Sequence, residues 1–165
     1  RPARAGPLLV TGMSTSGFEF LDPGPLSDGD LELALSQRMP ASGSWSPAYR
    51  FLMKIQSPRI AVGRIDLRIG NTEHIVRYAG HIGYNVEPAY RGHHYAARSV
   101  RLLLPLARNH GLKTLWITCN PDNLASRRTC ELAGAEFVEI VDLPPNTDMY
   151  VRGERQKCRY RIELE

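Results

Sequence analysis

Between Tyr49 and Gly70 two stretches place apolar residues at every second position, and nothing else in the 165-residue chain constrains its fold as strongly. In "RFLMKIQ", Phe51, Met53 and Ile55 alternate with Arg50, Lys54 and Gln56. In "GRIDLRIG", Ile65, Leu67 and Ile69 alternate with Arg64, Asp66 and Arg68. Successive side chains of a strand point to opposite faces, so this period places one face in a core and the other in water. A third strand, "RYAGHIGYNVE", is expected after the turn-rich "GNTEH", which makes an antiparallel run of three.

The pattern then changes. A helix is expected from about His94 to Asn109, with Ala97, Val100, Leu103, Leu104 and Ala107 as its apolar stripe and Gly111 as its stop. Pro105 removes a backbone donor, so a bend is expected near the last turn. "TLWITCN" reads as a buried strand, and "DNLASRRTCELAG" as a helix capped by Asp122 or Asn123. "EFVEIVDL" and "KCRYRIEL" read as two closing strands. Upstream, a helix is expected around "DGDLELALSQRM", capped by Asp28 or Asp30. Strand, helix, strand from Tyr78 to Cys119 is a crossover, so those two strands should be parallel neighbours. The expected class is α+β: a mixed, mostly antiparallel twisted sheet with one parallel strand pair and helices on both faces. A single domain over residues 1–165 accommodates these elements, with 1–16 a flexible or atypical N-terminal segment.

Composition narrows the function. With 42% hydrophobic and 23% charged residues, the chain is that of an ordinary globular protein. No apolar run is long enough to span a bilayer, and Leu8–Val10 is too short for a signal core, so no membrane partner is expected. Three widely spaced cysteines, Cys119, Cys130 and Cys158, suit a reducing compartment, which gives a cytoplasmic expectation. A formal charge of +4 is too diffuse to demand nucleic acid, and acidic residues interleave with the arginines of the long helix and the tail. Adjacent histidines such as His93 and His94 point different ways, and no carboxylate lies at matching spacing, so no metal is expected.

The stretch "YNVEPAYRGHHYAARSV" carries the chemistry. A strand that ends in a short loop before a helix aims several unpaired N–H groups at one spot, where the helix dipole adds positive potential. Such a loop cradles phosphate or pyrophosphate. Arg91 at its mouth can add a charge-assisted bond, and Gly92 with the small Ala96 and Ala97 allows close backbone approach. The loop matches neither the dinucleotide fingerprint nor the P-loop.

"YRGHHYA" resembles the pyrophosphate-binding signature of the GNAT-type N-acetyltransferases, [QR]-x-x-G-x-[GA]. "NPDNLASRRTCELAGAEFVE" resembles the second half of that family's core, an N-x-x-S followed by E-x-x-G-A/F. The resemblance covers Tyr49 to the C-terminus. It implies acetyl-CoA as donor, a primary amine of a small molecule or peptide as acceptor, and a splayed parallel strand pair with the pantetheine arm in the opening. It further implies that Asn85 and Val86 bond the pantetheine through their backbone, and that Arg91, Gly92, His93, His94, Tyr95 and Ala96 cradle the pyrophosphate. Asn123 would reach the cofactor with its amide, and Ser126 would sit close by. The signature's central glycine is His94 here, which should take an ordinary helical conformation if the loop keeps its shape. Family members place a tyrosine acid and a glutamate base where this chain has Cys130 and Thr118. His81, on the same strand face as Asn85, is then the best-placed base, beside Glu87, His94 or no dedicated base at all. Direct transfer without an acyl-enzyme is expected, and a non-catalytic acyl-CoA-binding sensor of the same fold is the alternative. Asp22, Asp28, Asp30 and Glu32 could steer a cationic acceptor, whereas Arg152 and Arg155 could favour an anionic one. A homodimer through the final strand or an arm is also compatible with the sequence.

Overall fold

The computed structural model describes residues 17–165. The N-terminal segment 1–16 lies outside the described residues. Five strands form one antiparallel sheet in sequential order: β1 (Leu26–Asp28), β2 (Leu31–Met39), β3 (Ala48–Gln56), β4 (Arg59–Arg68) and β5 (Ile82–Val86). Three more, β6 (Thr114–Cys119), β7 (Glu136–Asp142) and β8 (Gln156–Glu163), form a second antiparallel sheet in the order β6-β8-β7. Helix α1 (Tyr95–Asn109) joins the two sheets, α2 (Leu124–Leu132) follows β6, and the one-turn α3 (Asp148–Val151) precedes β8.

The alternation read in β3 and β4 decides the core. Phe51, Met53, Ile65 and Leu67 are fully buried, while Arg64, Asp66 and Arg68 reach water to differing degrees. Against the buried face lies α1, through Ala97, Val100, Leu103, Leu106 and Ala107. Leu106 takes the place expected of Leu104, which is only half-buried. α1 runs unbroken over Pro105, whose missing N–H falls on the exposed side.

Two expected elements differ. "DGDLELALSQRM" is not a helix but the β1–β2 hairpin, turned at Gly29 with φ +61°. Leu31 and Leu33 are buried at 0% and 5% exposure and alternate with Glu32 and Ala34, so the period of two prevailed over the residues' helix propensity. "RYAGHIGYNVE" is not one strand. His74–Ala79 forms a π-helical turn ending at Gly80 (φ +76°), and β5 starts only at Ile82. The guanidinium of Arg68 donates to the carbonyls of Ala79 (3.3 Å) and Gly80 (3.0 Å), which satisfies the end of that turn.

The strands expected as parallel neighbours, β5 and β6, do lie side by side, yet each belongs to its own sheet. They are tied at the base by the N–H of His81, which donates to Trp116 O (2.7 Å), and by the N–H of Trp116, which donates to His81 Nδ1 (2.9 Å). Above this tie the ladder stops, and the gap between β5 and β6 opens into a cleft.

Candidate active site

The cleft has a volume of about 1190 Å³ and reaches from the polar face of β3 and β4, through the gap, to the first turns of α1 and α2. Backbone geometry sets what β5 presents to it. The bonds Arg68 N–H to His81 O (2.7 Å) and Glu87 N–H to Val62 O (2.8 Å) fix the alternation of the β4–β5 ladder. Gly83 and Asn85 therefore turn their amides and carbonyls toward β4, while Tyr84 and Val86 turn theirs toward the gap. Val86 thus stands where the sequence expected a backbone donor and acceptor, with its carbonyl already receiving Arg91 Nε (2.9 Å). Asn85 does not, because its backbone is spent on β4; only its exposed side chain faces the cleft.

After β5 a single 3-10 turn, Pro88–Tyr90, delivers the chain to Arg91. Gly92 has φ +95° and His94 has φ +63°, ψ 26°. His94 is the first residue before α1 and is left-handed, not helical as expected: the backbone keeps the glycine conformation and the imidazole is carried along with it. Histidine is among the side chains that enter this region at modest cost. Among the described residues, the amides from Gly92 to Ala97 find no protein acceptor; the first bond of the helix is Arg98 N–H to His94 O (3.0 Å). These donors, at the positive end of a fifteen-residue helix, make an anion cradle. Arg91, Gly92, His94, Tyr95 and Ala96 line the cleft there. His93 does not; its ring stacks on Tyr95 with centroids 5.3 Å apart.

α2 supplies the other wall. Asn123 caps it, its Oδ1 receiving the N–H of Ser126 (3.0 Å), so only the amide NH₂ is left to reach a ligand. Ser126 Oγ lies 2.6 Å from the phenol of Tyr84, which crosses from β5 to α2 at the gap. Burial pushes the Tyr84 phenol above its usual range, and its bond with Ser126 offsets part of that. Cys130 is fully buried behind this pair, beside Cys119. Bonding from Cys130 lowers the Cys119 thiol to about 7, and the same contact, with burial, raises Cys130. Thr118 donates to Tyr78 O (2.7 Å) and so carries no base.

His81 is placed differently from its expected role. It is 0% exposed, with Nδ1 occupied by the Trp116 amide and Nε2 donating to Gly70 O (2.9 Å). That pairing fixes the Nε2–H tautomer, and burial pulls the ring down to about 4. Neither nitrogen is available to an amine in the cleft, so His81 is a strut between β5 and β6 and not a base. Glu87 is exposed beyond the end of β5 and outside the cleft lining.

Two groups escaped the sequence reading. Tyr84 sat in plain alternation between Ile82 and Val86, but only the crossing to α2 brings its phenol to the gap. Arg50, Arg64, Asp66 and Arg68 were visible as the polar half of an alternation, and the fold turns that half into the cleft's floor. Among the described residues no cluster of three or more metal-ligating side chains occurs.

An open strand gap, a run of unpaired amides before α1 and a two-sided cleft make up the site, and sequence comparison supplies the family. The model of the acetyltransferase (GNAT) domain matches residues 10–136, and the chain belongs to that family. No curated protein matches the chain in sequence. Among solved structures it is similar to a Bacillus anthracis GNAT-family acetyltransferase, with 21% identity, a TM-score of 0.53, and 70% of this chain and 66% of that one covered. It is similar also to the microcin C7 self-immunity acetyltransferase MccE, solved with acetyl-CoA and AMP: 16% identity, TM-score 0.55, 70% and 61% covered. A Vibrio cholerae protein assigned as a ribosomal-protein-serine acetyltransferase shares 14% identity at a TM-score of 0.61, with 87% and 99% covered. The chain thus spans less than two thirds of the first two and nearly all of the third. At these identities what is shared is the fold.

Proposed function

We propose that the protein is an N-acetyltransferase that uses acetyl-CoA and passes the acetyl group directly to a primary amine, within one domain. The observation that carries this reading is the line of free backbone groups along one wall of the cleft: Val86 at the gap, then the amides from Gly92 to Ala97. A pantetheine amide suits the first and a pyrophosphate the second. Gly92, at φ +95°, adds no side chain to that cradle. The residues present therefore fit the cofactor, with Arg91 in that wall and the amide of Asn123 on the one formed by α2.

When bound, acetyl-CoA supplies an activated thioester. In the transfer the amine nitrogen bonds to the acetyl carbon and the carbon–sulfur bond breaks; the nitrogen loses one proton and the sulfur gains one. The chain's residues divide this work. The gap aligns donor and acceptor from opposite sides, which supplies much of the acceleration. The Tyr84 N–H, turned into the gap two residues before Val86, is a backbone donor for developing negative charge on the carbonyl oxygen. The Tyr84 phenol, kept protonated by burial and relayed to Ser126 Oγ, is the proton source nearest the gap. Asp66 is not free to deprotonate the amine, since Arg50 holds both of its oxygens (2.9 and 3.0 Å). The amine therefore gives up its proton to water in the cleft.

Calorimetric titration with acetyl-CoA, against ATP as polyanion control, tests the reading. Saturable binding of acetyl-CoA that survives moderate salt, followed by CoA release with an amine, supports it. Equal, salt-sensitive binding of both ligands would reduce the cradle to a basic surface.

A further inference from the structure

The cleft's floor carries positive charge that the rest of the cleft does not neutralise. Seven arginines and lysines line it against three carboxylates, Asp66, Asp148 and Glu154. Asp66 is taken bidentately by Arg50, and Glu154 is shared between Arg152 (3.5 Å) and Lys157 (2.6 Å). Asp148 stands in the first turn of α3. Among the described residues no carboxylate lies within 4.0 Å of Arg64 or Arg68. Arg68 is half-buried and holds only backbone carbonyls. Its guanidinium is seated over Gly83, where a Cβ would fall 2.8 Å from Nη2. Arg64, two places along the same face beyond Asp66 and opposite Asn85, is exposed and without a hydrogen-bond partner among the described residues. On the other side of the ledger, Asp28 and Asp30, which could have steered a cation, are occupied by Arg98 at 2.8 and 3.0 Å and lie outside the cleft lining.

We propose that Arg64 and Arg68 anchor the acceptor, and that the preferred acceptor is a primary amine carrying a carboxylate or phosphate group. This rests on the acetyltransferase reading above. A half-buried guanidinium without a counter-ion is relieved by an anion that brings its own, and planar guanidinium groups hold carboxylate and phosphate oxygens in a fixed geometry. Arg64 keeps its whole fork free for this, while Arg68 keeps Nη2. The anion on the floor then leaves the amine end of the acceptor directed at the gap, which lies on the same face beyond Asn85. The arginines act on binding, not on bond making.

The test separates this inference from the reading it rests on. Acetyl-CoA binding by calorimetry is measured first, and its absence would sink both. With binding in place, O-phosphoethanolamine is compared with ethanolamine, and L-aspartate with putrescine, by CoA release. The expected result is a kcat/KM at least tenfold higher for each anionic amine than for its partner. In Arg64→Gln, the KM for phosphoethanolamine should rise about tenfold with kcat little changed, and Arg64→Lys should restore part of it. Ethanolamine should respond to neither change. Faster turnover of ethanolamine or putrescine overturns the inference. Should none of the four be acetylated, L-aspartate and O-phosphoethanolamine are titrated into the CoA-saturated protein. Binding that weakens in Arg64→Gln upholds an anion-binding floor, and no binding, or binding indifferent to Arg64, refutes it.

Discussion

His81 offers the most direct test of how the gap is held. Its ring is neutral, fully buried and bonded at both nitrogens, and burial holds its pKa near 4 against an ordinary 6.5. The native state thus binds fewer protons than the unfolded chain between those values. The stability that the neutral ring contributes is complete above pH 6.5 and is lost as pH falls through that window toward 4. The difference amounts to about 3 kcal/mol. That is a large part of the stability of a domain this size. The loss has a location: a proton on Nδ1 meets the N–H of Trp116, so the tie between β5 and β6 opens first. Urea unfolding between pH 7 and pH 4 should show the wild type losing about 3 kcal/mol more than His81→Asn. The asparagine keeps an acceptor for Trp116 but cannot take up the proton. The variant should start less stable and have the flatter profile. Other groups, including the half-buried His110, titrate in both proteins and cancel in the comparison. Parallel pH profiles for the two proteins would refute the assignment.

Three further substitutions probe the wall of the cleft. His94→Gly should leave acetyl-CoA affinity within about twofold and stability unchanged or slightly higher, since relief of a left-handed residue worth roughly 1 kcal/mol offsets the entropy of glycine; a clear loss of affinity in the titration would show that the ring itself holds the ligand. Tyr84→Phe should lower kcat by about 10²-fold with the KM for acetyl-CoA little changed, as expected for a proton donor, and a pure KM effect in steady-state assays would argue for a positioning role. Gly63→Ala would place a Cβ 2.4 Å from Asn85 O and 3.1 Å from Val86 Cα, so a loss of about 1–3 kcal/mol is expected in urea unfolding, together with weaker acetyl-CoA binding; wild-type values for both would mean that β5 yields freely.

The later helices, the later strands and the loop before α1 were legible because each rests on local rules: a period of two or 3.6, a cap, a glycine before a helix. The β1–β2 hairpin was misread because Leu31, Leu33 and Leu35 suit either period over so short a stretch, and only pairing with β3 decides between them. The π-helical turn was hidden for a similar reason, since its stabilising donors, Arg68 and Arg159, come from distant strands. His81 shows the limit most clearly. It was expected on the strand face of Asn85, yet β5 begins only at Ile82, and the role of His81 depends on the backbone of Trp116, which comes from thirty-five residues away.

His94 reverses that lesson. The sequence led us to expect that, with the loop's shape kept, His94 in the glycine's place would take an ordinary helical backbone. The loop instead forces the histidine, because the unpaired amides on either side and the start of α1 set the chain's path, and one residue at φ +63° costs less than rebuilding it. A signature written in side chains is therefore a weaker statement than the backbone conformation it stands for. In this chain the left-handed conformation survives although the glycine does not, whereas the acid and base positions, where side chains themselves would do the chemistry, carry Cys130 and Thr118.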